Sequence, residues 1–204
     1  VLPDGITSIG EKAFNGCESL TSVLFGKNSQ LSSIGPGAFN YCYSLESITI
    51  PESVTNIGSE AFIYCYGLRS VTFGENSQLT SIGEGAFNWC ESLESITIPD
   101  SVTSIGDGAF NWCESLESIT IPDGVKSIGN HAFAGCSALE SITIPGSVLS
   151  IGDNAFKECT ALESATISEG VKSIGDNAIN SERDFRKTQQ KISNNIENSL
   201  QMIA

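Results

Sequence analysis

The stretch Leu116–Cys136 reads LESITIPDGVKSIGNHAFAGC, and close copies of it recur along the 204-residue chain. The dipeptide Ile-Gly marks each copy. It begins at Ile9, Ile34, Ile57, Ile82, Ile105, Ile128, Ile151 and Ile174, with spacings of 25, 23, 25, 23, 23, 23 and 23 residues. The two longer units carry FGKNSQLSSIG and FGENSQLTSIG, which places a two-residue insertion in one turn. Self-similarity at such a period indicates a repeat architecture.

Each fixed letter of the consensus unit, IGxxAFxxCxxLxSITIPxxVxS, has a structural reason. In the copy that begins at Leu45, two isoleucines alternate with Ser47 and Thr49, which predicts a strand with one buried face. Proline ends the strand, a turn follows, and Val125–Ile128 predicts a second brief strand. Glycine then permits a sharp corner, and AFxxC predicts a helical or 3₁₀ turn with one buried side.

One such unit cannot bury its own apolar face, so successive units must stack. Equivalent strands would then pair in parallel at a spacing of about 4.8 Å. The pattern therefore predicts a β-rich solenoid over residues 1–179. It would contain about eight units of 23–25 residues, with short parallel strands and 3₁₀ or short helical turns.

The motif LxSITIPxxVxSIGxxAFxxC resembles the BspA-like subclass of leucine-rich repeats, found in bacterial and some protist surface proteins. The resemblance covers residues 1 to about 179. It implies a curved, right-handed coil with the LxSITI strands on the concave side. It also implies a bacterial surface or secreted protein that binds a host or neighbouring-cell protein or glycan.

The charge of the chain limits its partners. The net charge is −14 and the isoelectric point is about 4.3, whereas nucleic acid and anionic membranes attract positive surfaces. No run of about 18 apolar residues occurs, so we expect no membrane insertion. The first residues, VLPDGITSIG, do not look like a signal peptide, which says nothing against export.

Residue types that carry catalysis or bind metals are sparse. All seven cysteines hold one repeat position, without a CxxC pair or interleaved histidines, so we expect a buried ladder rather than a zinc site. The single histidine, His131, falls on an exposed corner. No GxSxG, P-loop or HExxH motif is present. We therefore expect no enzymatic activity, no metal site and no cofactor.

The position before each cysteine varies between units: it holds Gly16, Tyr41, Tyr64, Trp89, Trp112, Gly135 and Glu158. A core position does not accept Gly, Trp and Glu interchangeably, so we expect this one to face outward. Contiguous exposed aromatic residues indicate an interaction site. The candidate ligand-binding residues are Tyr41, Tyr43, Tyr64, Tyr66, Trp89 and Trp112, rimmed by Glu91 and Glu114. The alternatives are rings that merely shield the turn, or a block duplication that copied them.

The exposed face of the LxSITI strands offers a secondary candidate surface. A charged column contains Glu46, Arg69, Glu94, Glu117 and Glu140, and a threonine column contains Thr49, Thr72, Thr97, Thr120 and Thr143. Stacked like charges cost free energy, so the first column would attract a cation or a basic partner. The alternative is a solvated acidic rim.

Residues 180–204 depart from the repeat. The segment SERDFRKTQQKISNNIENSLQMIA starts with a capping-box pattern at Ser181 and Asp184. At helical spacing, Phe185, Ile192, Ile196, Leu200 and Ile203 share one face. An amphipathic α-helix is predicted, which would cap the last repeat or mediate dimerisation.

Taken together, these patterns favour a non-catalytic, secreted or cell-surface adhesion protein of a bacterium. Its repeat array would bind a protein or a glycan. The alternative is a structural spacer segment of a larger surface protein, without a ligand of its own.

Overall fold

The computed structural model describes residues 1–179, which form a parallel β-solenoid of fifteen short strands. The short strands are β1 Ser8–Ile9, β3 Ser33–Ile34, β5 Asn56–Ile57, β7 Ser81–Ile82, β9 Ser104–Ile105, β11 Ser127–Ile128, β13 Ser150–Ile151 and β15 Ser173–Ile174. The main strands are β2 Ser22–Val23, β4 Ser47–Ile50, β6 Ser70–Phe73, β8 Ser95–Thr97, β10 Ser118–Thr120, β12 Ser141–Ile144 and β14 Ser164–Ile167. The predicted C-terminal helix lies outside the described residues.

Equivalent strands of successive units pair in parallel, which confirms the predicted solenoid. The short strands form one eight-stranded sheet in the order β1-β3-β5-β7-β9-β11-β13-β15. The main strands form a five-stranded sheet, β10-β8-β6-β4-β2, and a separate pair, β12-β14. The register sets each residue opposite its own counterpart, as in Thr49 opposite Thr72. Each side chain therefore lies over the equivalent side chain of the next unit.

The alternation within the LxSITI motif sorts side chains between core and solvent. In β4, Ile48 and Ile50 are buried, whereas Ser47 and Thr49 are exposed. The consensus leucine and valine, as at Leu45 and Val54, are also fully buried. No polar or charged residue within residues 1–179 belongs to the buried class. The core is consequently held by apolar burial, at roughly 25 cal/mol per Å² removed from water.

A column of stacked phenylalanines runs through this core. Its members are Phe14, Phe39, Phe62, Phe87, Phe110, Phe133 and Phe156. Neighbouring ring centroids lie 5.1 to 5.4 Å apart, with planes within 10° of parallel. From Phe39 to Phe156 these rings are completely buried. Each phenylalanine thus fills the gap between two copies of itself.

The corner between Ile-Gly and cysteine is a chain of turns with the 3₁₀-type hydrogen bonds that the sequence predicts, interrupted by hydrogen bonds to the next unit. The amides of Ala38 and Asn40 donate to carbonyls three residues earlier, in the 3₁₀ manner. The amides of Phe39 and Tyr41 donate instead to Ala61 and Ile63 of the next unit. Left-handed residues at two positions of the corner, including Tyr41 with φ of 59°, cause this interruption. The corner therefore provides a further line of hydrogen bonds between units.

The cysteine thiols are structural hydrogen-bond donors. From Cys42 onward, each Sγ lies 3.2 to 3.3 Å from the carbonyl oxygen of the phenylalanine one unit earlier. Burial raises the pKa of Cys42 to about 11 and that of Cys159 to about 12. All six of these thiols are buried, and Cys17 in the first unit is exposed. The buried thiols therefore stay protonated at neutral pH and unreactive.

Replacing one phenylalanine of the column tests how much the stack stabilises the solenoid. We expect Phe110→Ala to lower the free energy of unfolding by about 3–5 kcal/mol, because it leaves a cavity between Phe87 and Phe133. Urea unfolding followed by circular dichroism measures the change. Phe110→Leu, which keeps more apolar volume, serves as the control and should lose less. Equal stability of the wild type and Phe110→Ala would show that the column is not essential.

Thiol accessibility provides a second test of the fold. In the folded protein we expect an aromatic disulfide reagent to modify one thiol rapidly, that of exposed Cys17, and the six buried thiols only after unfolding. Absorbance of the released thiolate follows the reaction. The Cys17→Ser variant should lack the rapid phase. Rapid modification of more than one thiol in the native protein would contradict the buried ladder.

Candidate binding surface

The six candidate aromatic residues lie in two adjacent columns on the corner of the solenoid, which we call the aromatic surface. Column A contains Tyr41, Tyr64, Trp89 and Trp112, one per unit in four successive units. Column B contains Tyr43 and Tyr66, two residues further along the chain in the first two of these units. The structure therefore brings all six residues together.

Backbone hydrogen bonds between units hold each column in line. In column A, the amides of Tyr41, Tyr64, Trp89 and Trp112 donate to the carbonyls of Ile63, Asn88, Asn111 and Ala134 in the next unit, at 2.8 to 3.1 Å. Beside column B, the amides of Gly67 and Ser92 donate back to the carbonyls of Tyr43 and Tyr66. The aromatic side chains thus project from a paired backbone rather than from a free loop.

The rings of the aromatic surface cover each other's faces. The centroids of Tyr41 and Tyr64 lie 5.0 Å apart with planes 8° from parallel, and those of Trp89 and Trp112 lie 5.0 Å apart at 15°. Tyr64 and Trp89 are further apart and tilted, at 6.3 Å and 33°. In column B, Tyr43 stacks on Tyr66 at 5.4 Å. The stacked rings consequently present mainly their edges to solvent.

Exposure differs along the aromatic surface. Tyr41 is 39% exposed and Tyr43 and Tyr66 are each 37% exposed. Tyr64, Trp89 and Trp112 are half-buried. Tyr64 and Trp89 each lose both ring faces to neighbouring rings, and the outer face of Trp112 lies against Gly135. The three exposed rings each lie at the end of a stack.

Column A occupies a backbone position that favours glycine. Tyr41, Tyr64, Trp89 and Trp112 all have left-handed backbones, with φ between 57° and 61°. Gly16, Gly135 and Glu158 hold the same position in other units, with φ of 72°, 75° and 62°. A left-handed backbone costs a residue with a side chain about 1–2 kcal/mol. Four large aromatic residues are therefore kept where the fold itself would accept glycine more readily.

Acidic groups flank column B. Glu91 holds the next place in the column after Tyr66, and Glu114 the place after that. Partial removal from water, and then the carboxylate of Glu91, raise the pKa of the Tyr66 phenol. The phenol therefore remains a neutral hydrogen-bond donor, and the border of the aromatic surface is negative.

The secondary candidate surface lies on the exposed side of the main strands. Its five threonines and five charged residues, named above, are all exposed. Thr49 and Thr72 share a hydrogen bond between their hydroxyl oxygens, which lie 2.9 Å apart. Arg69 lies 3.3 Å from Glu94, and such exposed pairs stabilise a protein by at most about 1 kcal/mol. This surface is a regular, exposed ladder of polar and charged side chains.

One side-chain ladder was missed by the sequence analysis. It follows the corner glycine and contains Asp107, Asn130, Asp153 and Asp176. In each case a side-chain oxygen accepts the backbone amide of the next residue in the ladder, at 2.8 Å. The recurrence of Asp and Asn after Ile-Gly in the last four units was the available signal.

Among residues 1–179, no three His, Cys, Asp or Glu side chains are grouped so as to hold a metal ion. An open groove of about 590 Å³ lies where the longer turn after β6, at 74–78, meets the shorter turn after β8, at 98–101. It is lined by exposed turn residues as well as strand residues. No helix with the length and apolar character required to span a membrane occurs within the described range.

The repeat is also recognised as a family. The profile of the BspA type leucine-rich repeat region (6 copies) matches residues 1–90 and 80–201. The chain belongs to this family. The BspA-type repeat explains why strands and corners recur at regular intervals along the described residues. It also explains why all the cysteines hold the same position of the repeat.

Solved structures of bacterial leucine-rich repeat proteins resemble this BspA-type chain. A leucine-rich repeat protein from T. pallidum is 27% identical, with a TM-score of 0.75 over 90% of this chain and 86% of that one. One from Bacteroides ovatus is 29% identical, with a TM-score of 0.63 over 87% of this chain and 56% of that one. A leucine-rich cell surface protein from Faecalibacterium prausnitzii is 37% identical, with a TM-score of 0.51 over 79% and 48%.

The chain thus spans about half the length of two of these relatives. No curated protein sequence matches it significantly. The similarity therefore shows the repeat fold and the family, while the ligand must be argued from this chain's own surface.

The left-handed backbone of column A predicts an unusual order of stability. We expect Trp89→Gly to be more stable than Trp89→Ala by about 0.5–1 kcal/mol, because relief of left-handed strain exceeds the entropy cost of glycine. Urea unfolding measures both variants. Thr97→Gly and Thr97→Ala are the matched control in a main strand, where alanine should be the more stable. If glycine were more stable than alanine at both positions, or less stable at both, the proposed backbone strain at Trp89 would be refuted.

Proposed function

We propose that this chain is a non-catalytic binding protein, secreted or displayed on a bacterial cell surface. It would attach to a protein or glycan of a host or neighbouring cell through the aromatic surface. The observation that carries the proposal is column A, in which four successive units carry stacked aromatic residues at a position that Gly16, Gly135 and Glu158 hold elsewhere. Contiguous aromatic residues at a surface are characteristic of interaction sites.

The chemistry of the surface suits recognition. Tyr and Trp supply large, rigid contact areas at low entropic cost, and they are enriched at the energetic centres of interfaces. Here the rings are already fixed by stacking and by the backbone ladder, so few rotamers would be lost on binding. The tyrosine hydroxyls and the acidic border add polar contacts around the rings.

The family supports a surface location. One relative is described as a leucine-rich cell surface protein, and the chain shares 37% of its residues over the matched region. The acidic character of the chain, with a net charge of −14, is compatible with an exported, soluble array. The alternative is a structural spacer within a longer surface protein, and it requires no ligand for the aromatic surface.

A cell-binding assay separates these two functions. We expect the labelled chain to bind cultured epithelial cells or neighbouring bacteria, and the double variant Trp89→Gly, Trp112→Gly to bind at least about tenfold more weakly. Glycine is used because the fold accepts it at this position. Protease or glycosidase treatment of the cells then distinguishes a protein receptor from a glycan.

The control variant changes residues outside both candidate surfaces. Lys126→Gln with Lys172→Gln alters two exposed side chains and leaves the aromatic surface intact. This control variant should bind like the wild type. Equal binding by the wild type and the aromatic variant, or no binding to any cell, would favour the spacer.

A further inference from the structure

The open groove between the turns after β6 and β8, which we call the turn groove, begins where the pairing of the main strands stops. β4 pairs with β6 over four residues, whereas β6 pairs with β8 only as far as Val71 and Ile96. Beyond that point the two-residue insertion makes the turn after β6 longer than the turn after β8. The resulting space of about 590 Å³ lies within the range of about 300–1,000 Å³ that is typical of small-molecule sites.

Part of the lining of the turn groove is apolar. Phe73 lines the groove and is half-buried, whereas Ile50, its strand partner in the preceding unit, is fully buried. Pro99 of the shorter turn lines the groove too and is also half-buried. The groove therefore offers an aromatic and an aliphatic ring to a ligand with an apolar face.

The two walls of the turn groove are held by hydrogen bonds of their own. In the longer turn, the amide of Ser77 donates to the carbonyl of Gly74 at 3.1 Å, and the side-chain amide of Gln78 donates to the carbonyl of Asn76 at 2.9 Å. From the shorter turn, the hydroxyl of Ser101 donates to the carbonyl of Ser77 at 2.9 Å. The turns are thus fixed before a ligand arrives, which lowers the entropic cost of binding.

Polar side chains of several kinds line the turn groove. Glu75 and Asn76 come from the longer turn, Asp100 from the shorter turn, and Thr97 from the end of β8. All four side chains are exposed, and none makes a hydrogen bond or an ion pair to another group within residues 1–179. Carboxylates accept hydrogen bonds, whereas the carboxamide and the hydroxyl both donate and accept them. The groove can therefore satisfy a ligand that carries donors and acceptors together.

We propose that the turn groove binds a neutral sugar residue of a glycan. A pyranose ring has an apolar face of C–H groups, which would pack on Phe73 and Pro99. Its hydroxyls would donate to the carboxylates of Glu75 and Asp100, in hydrogen bonds strengthened by the charge, and would accept from the carboxamide of Asn76. The groove shares no residue with the aromatic surface, so this site goes beyond the function proposed above.

The chemistry of the turn groove favours a neutral sugar over a charged ligand. An anionic ligand would be repelled by Glu75, by Asp100 and by the net charge of −14. The basic side chain of a partner protein would use the two carboxylates, but it has no acceptor for the amide hydrogens of Asn76. A sugar hydroxyl both donates and accepts, so it can use every one of these groups.

Saturation-transfer NMR with the whole chain tests the proposal. The probes are four neutral disaccharides: lactose, maltose, cellobiose and diacetylchitobiose. We expect at least one of them to bind, with the same affinity at low and at high salt, because a neutral ligand has no charge to be screened. We expect Asp100→Asn and Asn76→Ala each to weaken this binding about three- to tenfold, the effect of losing one hydrogen bond.

The matched control is Asn28→Ala. Asn28 holds the place of Asn76 in the first of the two longer turns, where its carbonyl accepts the side-chain amide of Gln30 in the same way. That turn carries Lys27 in place of Glu75. The control variant should bind the disaccharide like the wild type, and an equal loss of affinity with Asn28→Ala would overturn the proposal.

Three further results would also contradict a sugar site in the turn groove. One is that none of the four disaccharides binds. Another is that trilysine binds in their place and is released by salt, which would assign the groove to a basic partner. The third is that Trp89→Gly with Trp112→Gly abolishes disaccharide binding while Asp100→Asn leaves it unchanged, which would place the sugar on the aromatic surface.

Discussion

Stacking at a single rung spacing is the constraint on which the rest of this structure depends. Parallel pairing places every residue over its own counterpart, and the phenylalanine rings accordingly repeat at 5.1 to 5.4 Å. Each position must therefore hold a side chain that can lie directly against an identical or similar side chain in the next unit. Phenylalanine and isoleucine do so by burying apolar surface. Cysteine does so by donating its thiol hydrogen to the preceding unit. Glutamate does so only where water screens the charge, which confines its column to the exposed face.

The same constraint allows a binding surface to be built without altering the fold. The corner position of column A has a left-handed backbone, and Gly16 and Gly135 show that it needs no side chain. Aromatic residues in four successive units then cover one another, which offsets part of their strain through stacking. The exposed ring edges are the part of the proposed binding surface that a partner would contact. Residues at this position can change from unit to unit while the core stays constant.

The aromatic rings at the two ends of column A differ in exposure. Interior rings have no free face, so ring faces are available to a ligand only where a column stops. At Gly135 the backbone closes that face, whereas Tyr41 at the other end of the column is 39% exposed. The exposed part of each ring therefore depends on what the neighbouring units carry, although the units are similar in sequence.

The sequence by itself determined the number and phase of the units, the parallel strands, the buried cysteines and the alignment of the aromatic residues. These follow from periodicity, because in-register stacking turns sequence spacing directly into spatial order. Only the tertiary structure decided that the corner is a chain of turns, that Trp89 and Trp112 are half-buried, and that Asp107 and its counterparts accept amides from the next unit. Backbone handedness and ring tilt depend on the units above and below. Gly16 and Gly135 were the available sequence signal for the left-handed backbone at this position. The argument from side-chain volume predicts only that the position faces outward, and it does not reveal the φ angle.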